Sequence, residues 1–348
     1  MTSFKKYFFY HFKTTLLRGA VLAIIFIALT ASIISPSVRY RGTDIYIYSD
    51  IGFLGIASAV ICTIIPILEL MAFKNRRNLD TLFFLPVSRP KMALAHYING
   101  LIQIIAVVTL CFVTALVRLM PLAKHLNLIY LLPLYGLHVL ICLMMYSVFM
   151  FIFTQANTVA DGVVFMVVYM IVGFYVVTAL GEVTGIKFIE KSPEYYFIYS
   201  PISVVTSEFN AYITPTIRNV YDGTTYGTLL YTVQSNYTIT FDTYQIVSFI
   251  FWGIAGLASV FGYIFTFARQ KAENVGGISQ TWFGYRTLIP LCAVCMMTLA
   301  EFDSLTGVVT AVAMAIAYIV YRRTFKLKML DVAIILAVFL VAVGGAIF

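Results

Sequence analysis

Nine apolar runs leave this chain few ways to fold. They fall at about 16–35, 51–73, 93–120, 128–154, 162–181, 244–268, 287–302, 305–321 and 329–348. A hydrocarbon core of about 30 Å takes roughly 20 helical residues to cross. Inside it no water meets a backbone N–H or C=O, so each spanning segment must pair its own, as a helix does. The seventh run is short enough to be re-entrant. Composition agrees: 61% of residues are hydrophobic and 11% charged, against about half and a quarter in soluble domains. The expected fold class is an all-α polytopic membrane protein. A formal charge of +8 does not point to nucleic acid, because the basic residues flank apolar runs and form no patch or stripe.

Charge gives this arrangement a direction. With the N-terminus inside, one side receives Lys5, Lys6, Lys13, Arg18, Lys74, Arg76, Arg77, Arg89, Lys91, Arg269, Lys271, Arg286, Arg322, Arg323, Lys326 and Lys328, 16 of the 23 Lys and Arg residues. The other keeps Arg39, Arg41, Arg118, Lys124, Lys187, Lys191 and Arg218. Cytoplasmic loops carry the excess of Lys and Arg, so the N-terminus and the loop at 74–92 are expected in the cytoplasm. Phe4, Phe8 and Phe12 recur every fourth residue among lysines, the pattern of an amphipathic helix lying in the interface. An interfacial helix is therefore expected over 1–15, followed by an uncleaved first span.

The loop at 74–92, KNRRNLDTLFFLPVSRPKM, sets Lys74, Arg76, Arg77, Arg89 and Lys91 against one acid, Asp80. Leu79, Leu82, Phe83 and Leu85 recur at roughly helical spacing, which predicts a short amphipathic helix. Pro86 and Pro90 are expected to hold Val87-Ser88-Arg89 extended or turned, since a proline disfavours a helical residue before it. A solvated loop needs no such apolar residues, and a buried loop would not expose five cations.

Arg77-Asn78-Leu79-Asp80, followed by Leu85-Pro86-Val87-Ser88-Arg89, resembles the first cytoplasmic loop of the type-2 export permeases, membrane subunits of ATP-binding-cassette (ABC) transporters. Arg269-Gln270-Lys271-Ala272-Glu273-Asn274-Val275-Gly276 is similar to the tail after the sixth span of that family, with Val275 in place of a small residue. The resemblance covers about the first 280 residues. It implies a six-span core over 16–268, including the coupling loop 74–92 and a large outer loop at 182–243. About three additional spans follow in 269–348. It also implies a partner ATPase docking on Arg77, Leu79, Asp80, Leu82, Phe83, Leu85 and Arg89, and a second permease chain, identical or not. The substrate class implied is a drug, an antimicrobial peptide or a lipid-like compound, in a bacterial-type cell membrane.

The residues themselves carry little catalytic chemistry. No G-x-x-x-x-G-K-[S/T] occurs, so these residues cannot cradle ATP phosphates in a P-loop. ATP is expected to act only through the partner, with no cofactor bound directly. His11, His96, His125 and His138 form no i, i+4 pair, and no metal site is expected. Cys62, Cys111, Cys142, Cys292 and Cys295 all lie in apolar runs, which argues against a disulfide framework or an aqueous metal site, and the C-x-x-C of Cys292 and Cys295 reads as two small packing residues. The spans hold almost no mid-membrane charge, which argues against the alternative of an ion-coupled secondary transporter. A further alternative is a membrane sensor or assembly factor. On the third span His96, Asn99, Gln103 and Thr114 fall near one face, with Glu69 on the second span. These are expected to line a substrate path or to join helices.

In the outer loop, the aromatic stretch 194–213 is expected to dip into the membrane. Residues 228–241 alternate β-formers around Ser235-Asn236, a hairpin signal. The charge asymmetry makes the topology testable by labelling intact cells with an impermeant thiol reagent in a cysteine-free background. A cysteine near Asp222 should react, and cysteines near Arg77, Lys271 and Lys326 should not. Reaction at Arg77 sinks the assignment.

Overall fold

The computed structural model describes residues 3–35, 37–41, 44–48, 53–75, 77, 82, 84–120, 131–184, 216–218, 243–279, 281–299 and 304–345. The described helices are α1 (Ser3–Ile33), α2 (Phe53–Leu70), α3 (Arg89–Leu119), α4 (Leu131–Gln155), α5 (Val159–Thr184), α6 (Thr243–Arg269), α7 (Tyr285–Leu299), α8 (Ser304–Arg322) and α9 (Met329–Gly345). Among the described residues six helices are long and apolar enough to cross a membrane, and three further apolar helices are shorter. The chain is a polytopic membrane protein.

The N-terminus departs from expectation. Among the described residues no break separates an interfacial helix from the first span: α1 runs unbroken for 31 residues, about 46 Å at 1.5 Å per residue. No proline or glycine interrupts 4–18. The polar residues there cause no break either, because Thr14 and Thr15 donate back to the His11 carbonyl at 2.8 and 3.0 Å. The third span also begins earlier than expected, at Arg89. Ser88 stands where an N-cap does, its carbonyl accepting the Met92 N–H at 3.0 Å. Pro90 then falls in the first helical turn, where no backbone N–H is needed.

Two compact units divide the chain, and the boundaries fall within α2, α3, α4 and α6. The first comprises Met1–Ile65, Leu94–Ser147 and Ile202–Leu257. It contains a feature absent from the all-α expectation, a three-stranded antiparallel sheet of β1 (Ser37–Arg41), β2 (Asp44–Tyr48) and β3 (Thr216–Arg218). Arg41 pairs with Asp44, and Tyr46 with Thr216. The sequence cue was present: Asp44-Ile45-Tyr46-Ile47-Tyr48 consists almost wholly of β-formers. The expected hairpin at 228–241 and the aromatic stretch at 194–213 lie outside the described residues.

Polar pairs join the helices of this unit. His138 on α4 meets Ser58 on α2 at 2.8 Å, and the Cys62 thiol donates to the Cys142 carbonyl at 3.5 Å. Tyr97 and Tyr146 stack with centroids 5.4 Å apart, and the Tyr146 hydroxyl donates to the Tyr97 carbonyl at 3.2 Å. That approach depends on Gly100, because a Cβ there would lie 2.1 Å from the Tyr146 hydroxyl.

The second unit comprises Pro66–Ala93, Val148–Pro201 and Ala258–Phe348. Its C-terminal helices form a bundle, with Ala293 of α7 and Met314 and Tyr318 of α8 buried together and Ile334, Ile335 and Val338 of α9 packed against them. The bundle rests on α5, where Ala179 meets Met297 and the Tyr285 hydroxyl donates to Asp161 at 2.5 Å. Asp331, only 1% exposed, holds the α8–α9 turn. It accepts the Arg322 guanidinium at 2.7 Å and the Lys328 backbone N–H at 3.1 Å. The second bond closes one half of a capping box at the start of α9.

The glycines supply a matched test of the packing in the first unit. Gly100→Ala should destabilise the protein by about 1–3 kcal/mol, the usual cost of overpacking. Gly136→Ala on α4, whose Cβ would meet nothing within 4 Å, should be neutral or slightly stabilising. Thermal unfolding of the two variants side by side checks this; equal melting temperatures would contradict the α3–α4 contact.

Candidate functional site

A helix end leaves its last four carbonyls without intrahelical partners, and among apolar helices each needs a donor from elsewhere. In the second unit these donors converge on the end of α4. The 3-10 turn Met71–Lys74 carries the chain out of α2 and turns Lys74 inward. Its ammonium donates to the carbonyls of Thr154 at 3.2 Å and Ala156 at 2.5 Å, and lies 5.7 Å from the Phe153 ring centroid. A cation at a helix C-terminus also meets the negative end of the helix dipole. Lys74 is 8% exposed, so it is not one of a row of solvated cations, as its place in the basic loop suggested.

The same helix end is tied from a second direction by residues 276–281. Ser279 and Thr281 donate their hydroxyls to the Gln155 carbonyl at 2.7 and 3.3 Å. The Gly276 N–H donates to the Asn157 carbonyl at 3.1 Å, and the Asn157 amide returns a bond to the Ile278 carbonyl at 3.2 Å. Gly276 sits at φ 81°, a left-handed conformation that glycine adopts without steric cost. The motif ending in Gly276 therefore has a local physical reason for its glycine.

At the other end of the basic loop, Arg89 also turns inward. Its guanidinium donates to the Gln270 carbonyl at 2.7 Å, just beyond the end of α6. Phe73 and Phe267 meet edge to face at 4.8 Å, and the Tyr263 hydroxyl donates to the Ala93 carbonyl at 3.1 Å. The loop is thus moored at both ends by cations on the carbonyls of two helix ends, α4 and α6. The expectation of five exposed cations is corrected. Arg77 and Lys91 are exposed, Arg89 is half-buried and Lys74 is buried; Arg76 lies outside the described residues.

Between the moorings, Arg77 and Leu82 are helical, Leu82 is half-buried and Leu85 is exposed. Leu79, Asp80 and Phe83 lie outside the described residues. Residues 84–87 form a turn in which the Leu85 N–H donates to the Leu82 carbonyl at 3.3 Å and the Val87 N–H to the Leu85 carbonyl at 2.7 Å. Phe84, which helical spacing passed over, is 88% exposed. Its sequence signal is adjacency to Phe83.

The polar stripe on α3 belongs to the first unit, and its members have protein partners. The His96 ring meets the Tyr7 hydroxyl at 2.8 Å and lies 3.9 Å from the His11 ring. The Asn99 amide donates to Thr15 at 3.0 Å. Gln103 is buried beside Gly19, whose Cβ would lie 3.5 Å from its side chain. These three residues join α3 to α1. Thr114 bonds back to the Leu110 carbonyl of its own helix at 2.8 Å. Glu69, in the second unit, is buried in the last turn of α2.

Comparisons with protein-family models, with curated proteins and with solved structures found no match.

Proposed function

We propose that this chain is the membrane-spanning subunit of an ATP-driven exporter, and that the loop between Lys74 and Arg89 is where its ATPase docks. One observation carries this reading. An exposed aromatic, Phe84, sits beside the exposed Leu85 on a turn in a loop that Lys74 and Arg89 fix at its two ends to helix ends. A free aromatic ring of this kind, flanked by basic residues, suits the pocket of a protein partner, where aromatic and Arg anchors supply most of the binding energy. The moorings would make the turn a handle on the ends of α4 and α6, through Lys74 and Arg89. ATP-driven closure of the ATPase pair would move two such handles, one on each permease chain, and re-aim the spans attached to them. Drugs, antimicrobial peptides and lipid-like compounds are the substrate classes that the family resemblance suggests.

Docking and coupling separate experimentally. Phe84→Ala with Leu82→Ala removes the anchor and leaves every span intact. Truncations of this kind cost about 2 kcal/mol or more, so the ATPase should no longer co-purify while insertion and thermal stability stay near wild type. Poorly inserted protein that still retains the ATPase would refute the docking role.

Lys74→Met should act differently. It strands the Thr154 and Ala156 carbonyls, at about 1–3 kcal/mol for unsatisfied buried groups, and frees one end of the handle. The ATPase should remain bound, and its stimulation by transported substrate should fall several-fold. Unchanged stimulation, measured at equal expression, would show that the mooring carries no motion.

A further inference from the structure

The ends of α7, α8 and α9 surround a cleft of about 1310 Å³ that also receives residues from the 273–281 segment. Its charge is one-sided. Arg286, Arg322, Arg323, Lys326 and Lys328 line it against a single carboxylate, Glu273. Arg322 is neutralised by Asp331, with Nε 2.6 Å from a carboxylate oxygen. Asp331 itself is occupied by that pair and by the start of α9. Arg286 stacks on the Trp282 ring at 3.9 Å, a contact that leaves its charge uncompensated. Four cations therefore face one carboxylate across a space wide enough for a phosphate group with a small substituent.

Two further observations tell a built site from a merely solvated loop. Arg323 has φ 54°, at the position just after a helix where glycine is the usual residue. A side chain held there costs free energy that glycine would avoid, and this one lines the cleft. The turn that brings Lys326 and Lys328 to the cleft also carries exposed apolar residues: Phe325, 90% exposed, and Met329, 89% exposed, flank them in sequence. Alternating large apolar and basic residues on a turn between two apolar helices suit the headgroup level of a bilayer. A small soluble anion has no use for such apolar neighbours.

We infer that this cleft binds the phosphate of an anionic phospholipid headgroup, with Arg286, Arg323, Lys326 and Lys328 around the phosphate and Phe325 and Met329 against the acyl chains. The site lies within the C-terminal bundle and does not depend on the proposed transport function. It gives helices beyond the six-span core a role in fixing the bundle to acidic membrane.

Native mass spectrometry of the full-length protein in detergent, titrated with phosphatidylglycerol or phosphatidylcholine, tests this. Phosphatidylglycerol should be retained selectively. Arg323→Gly, which suits the backbone at φ 54° and should not perturb folding, is expected to lower retention about fivefold, as is Lys326→Gln, following the worth of one cation at an anionic surface. The double variant Lys5→Gln, Lys6→Gln removes charge elsewhere and should leave retention unchanged. Equal retention of the two lipids, or wild-type retention in both cleft variants, overturns the inference. Pyrophosphate is the second probe. Displacement of the lipid by millimolar pyrophosphate, with pyrophosphate alone stabilising wild type but not Arg323→Gly, would assign the cleft to soluble phosphate and overturn the lipid assignment.

Discussion

Carbonyls at helix ends are the groups that this protein must satisfy, and cations from neighbouring helices recur as the donors. Lys74 serves the end of α4 and Arg89 the chain just past α6. In the first unit Arg118, near the end of α3, donates to the Ile34 carbonyl just past α1 at 3.1 Å. A cation does two things there: it supplies N–H groups where water is scarce, and it meets the negative end of a helix dipole. Removing one leaves oxygens unpaired, which costs more than the bond itself contributes to net stability.

The basic loop takes its mechanical character from this chemistry. Its first residue is buried against a helix end and its last polar contact is on another, so the exposed turn between them has fixed points on both sides. The end of α4 is shared, because residues 276–281 bind the Gln155 and Asn157 carbonyls that Lys74 leaves free. Lys74 and residues 276–281, distant in sequence, thus meet at one helix terminus.

Much of this was legible in the sequence and some was not, for physical reasons. Apolar runs of spanning length locate helices because backbone pairing admits few alternatives in lipid, and all nine runs contain a described helix. Boundaries were poorer. Phe4, Phe8 and Phe12 among lysines suggested a separate interfacial helix, yet polar residues do not break a helix whose hydroxyls bond back to their own turn, as Thr14 and Thr15 do. The β1–β2 hairpin is masked in the sequence because its tyrosines and isoleucines stand between two dominant apolar runs. Within the candidate site, the basic loop and its glycine-ended companion were recognisable as motifs. The inward turn of Lys74 was not, because the carbonyls it serves lie some 80 residues along the chain. Charge counts along a sequence cannot distinguish a solvated lysine from one that caps a distant helix.

The mooring of the loop is open to one direct measurement. Spin labels at Arg77 and Lys271, both exposed and both in the second unit, report the distance between the two stretches on either side of the shared junction. Pulsed electron paramagnetic resonance on the purified full-length protein should give one narrow distance distribution, and Lys74→Met should broaden it. A broad distribution in the otherwise wild-type protein, or one left unchanged by Lys74→Met, would contradict the claim that Lys74 fixes the loop to the end of α4.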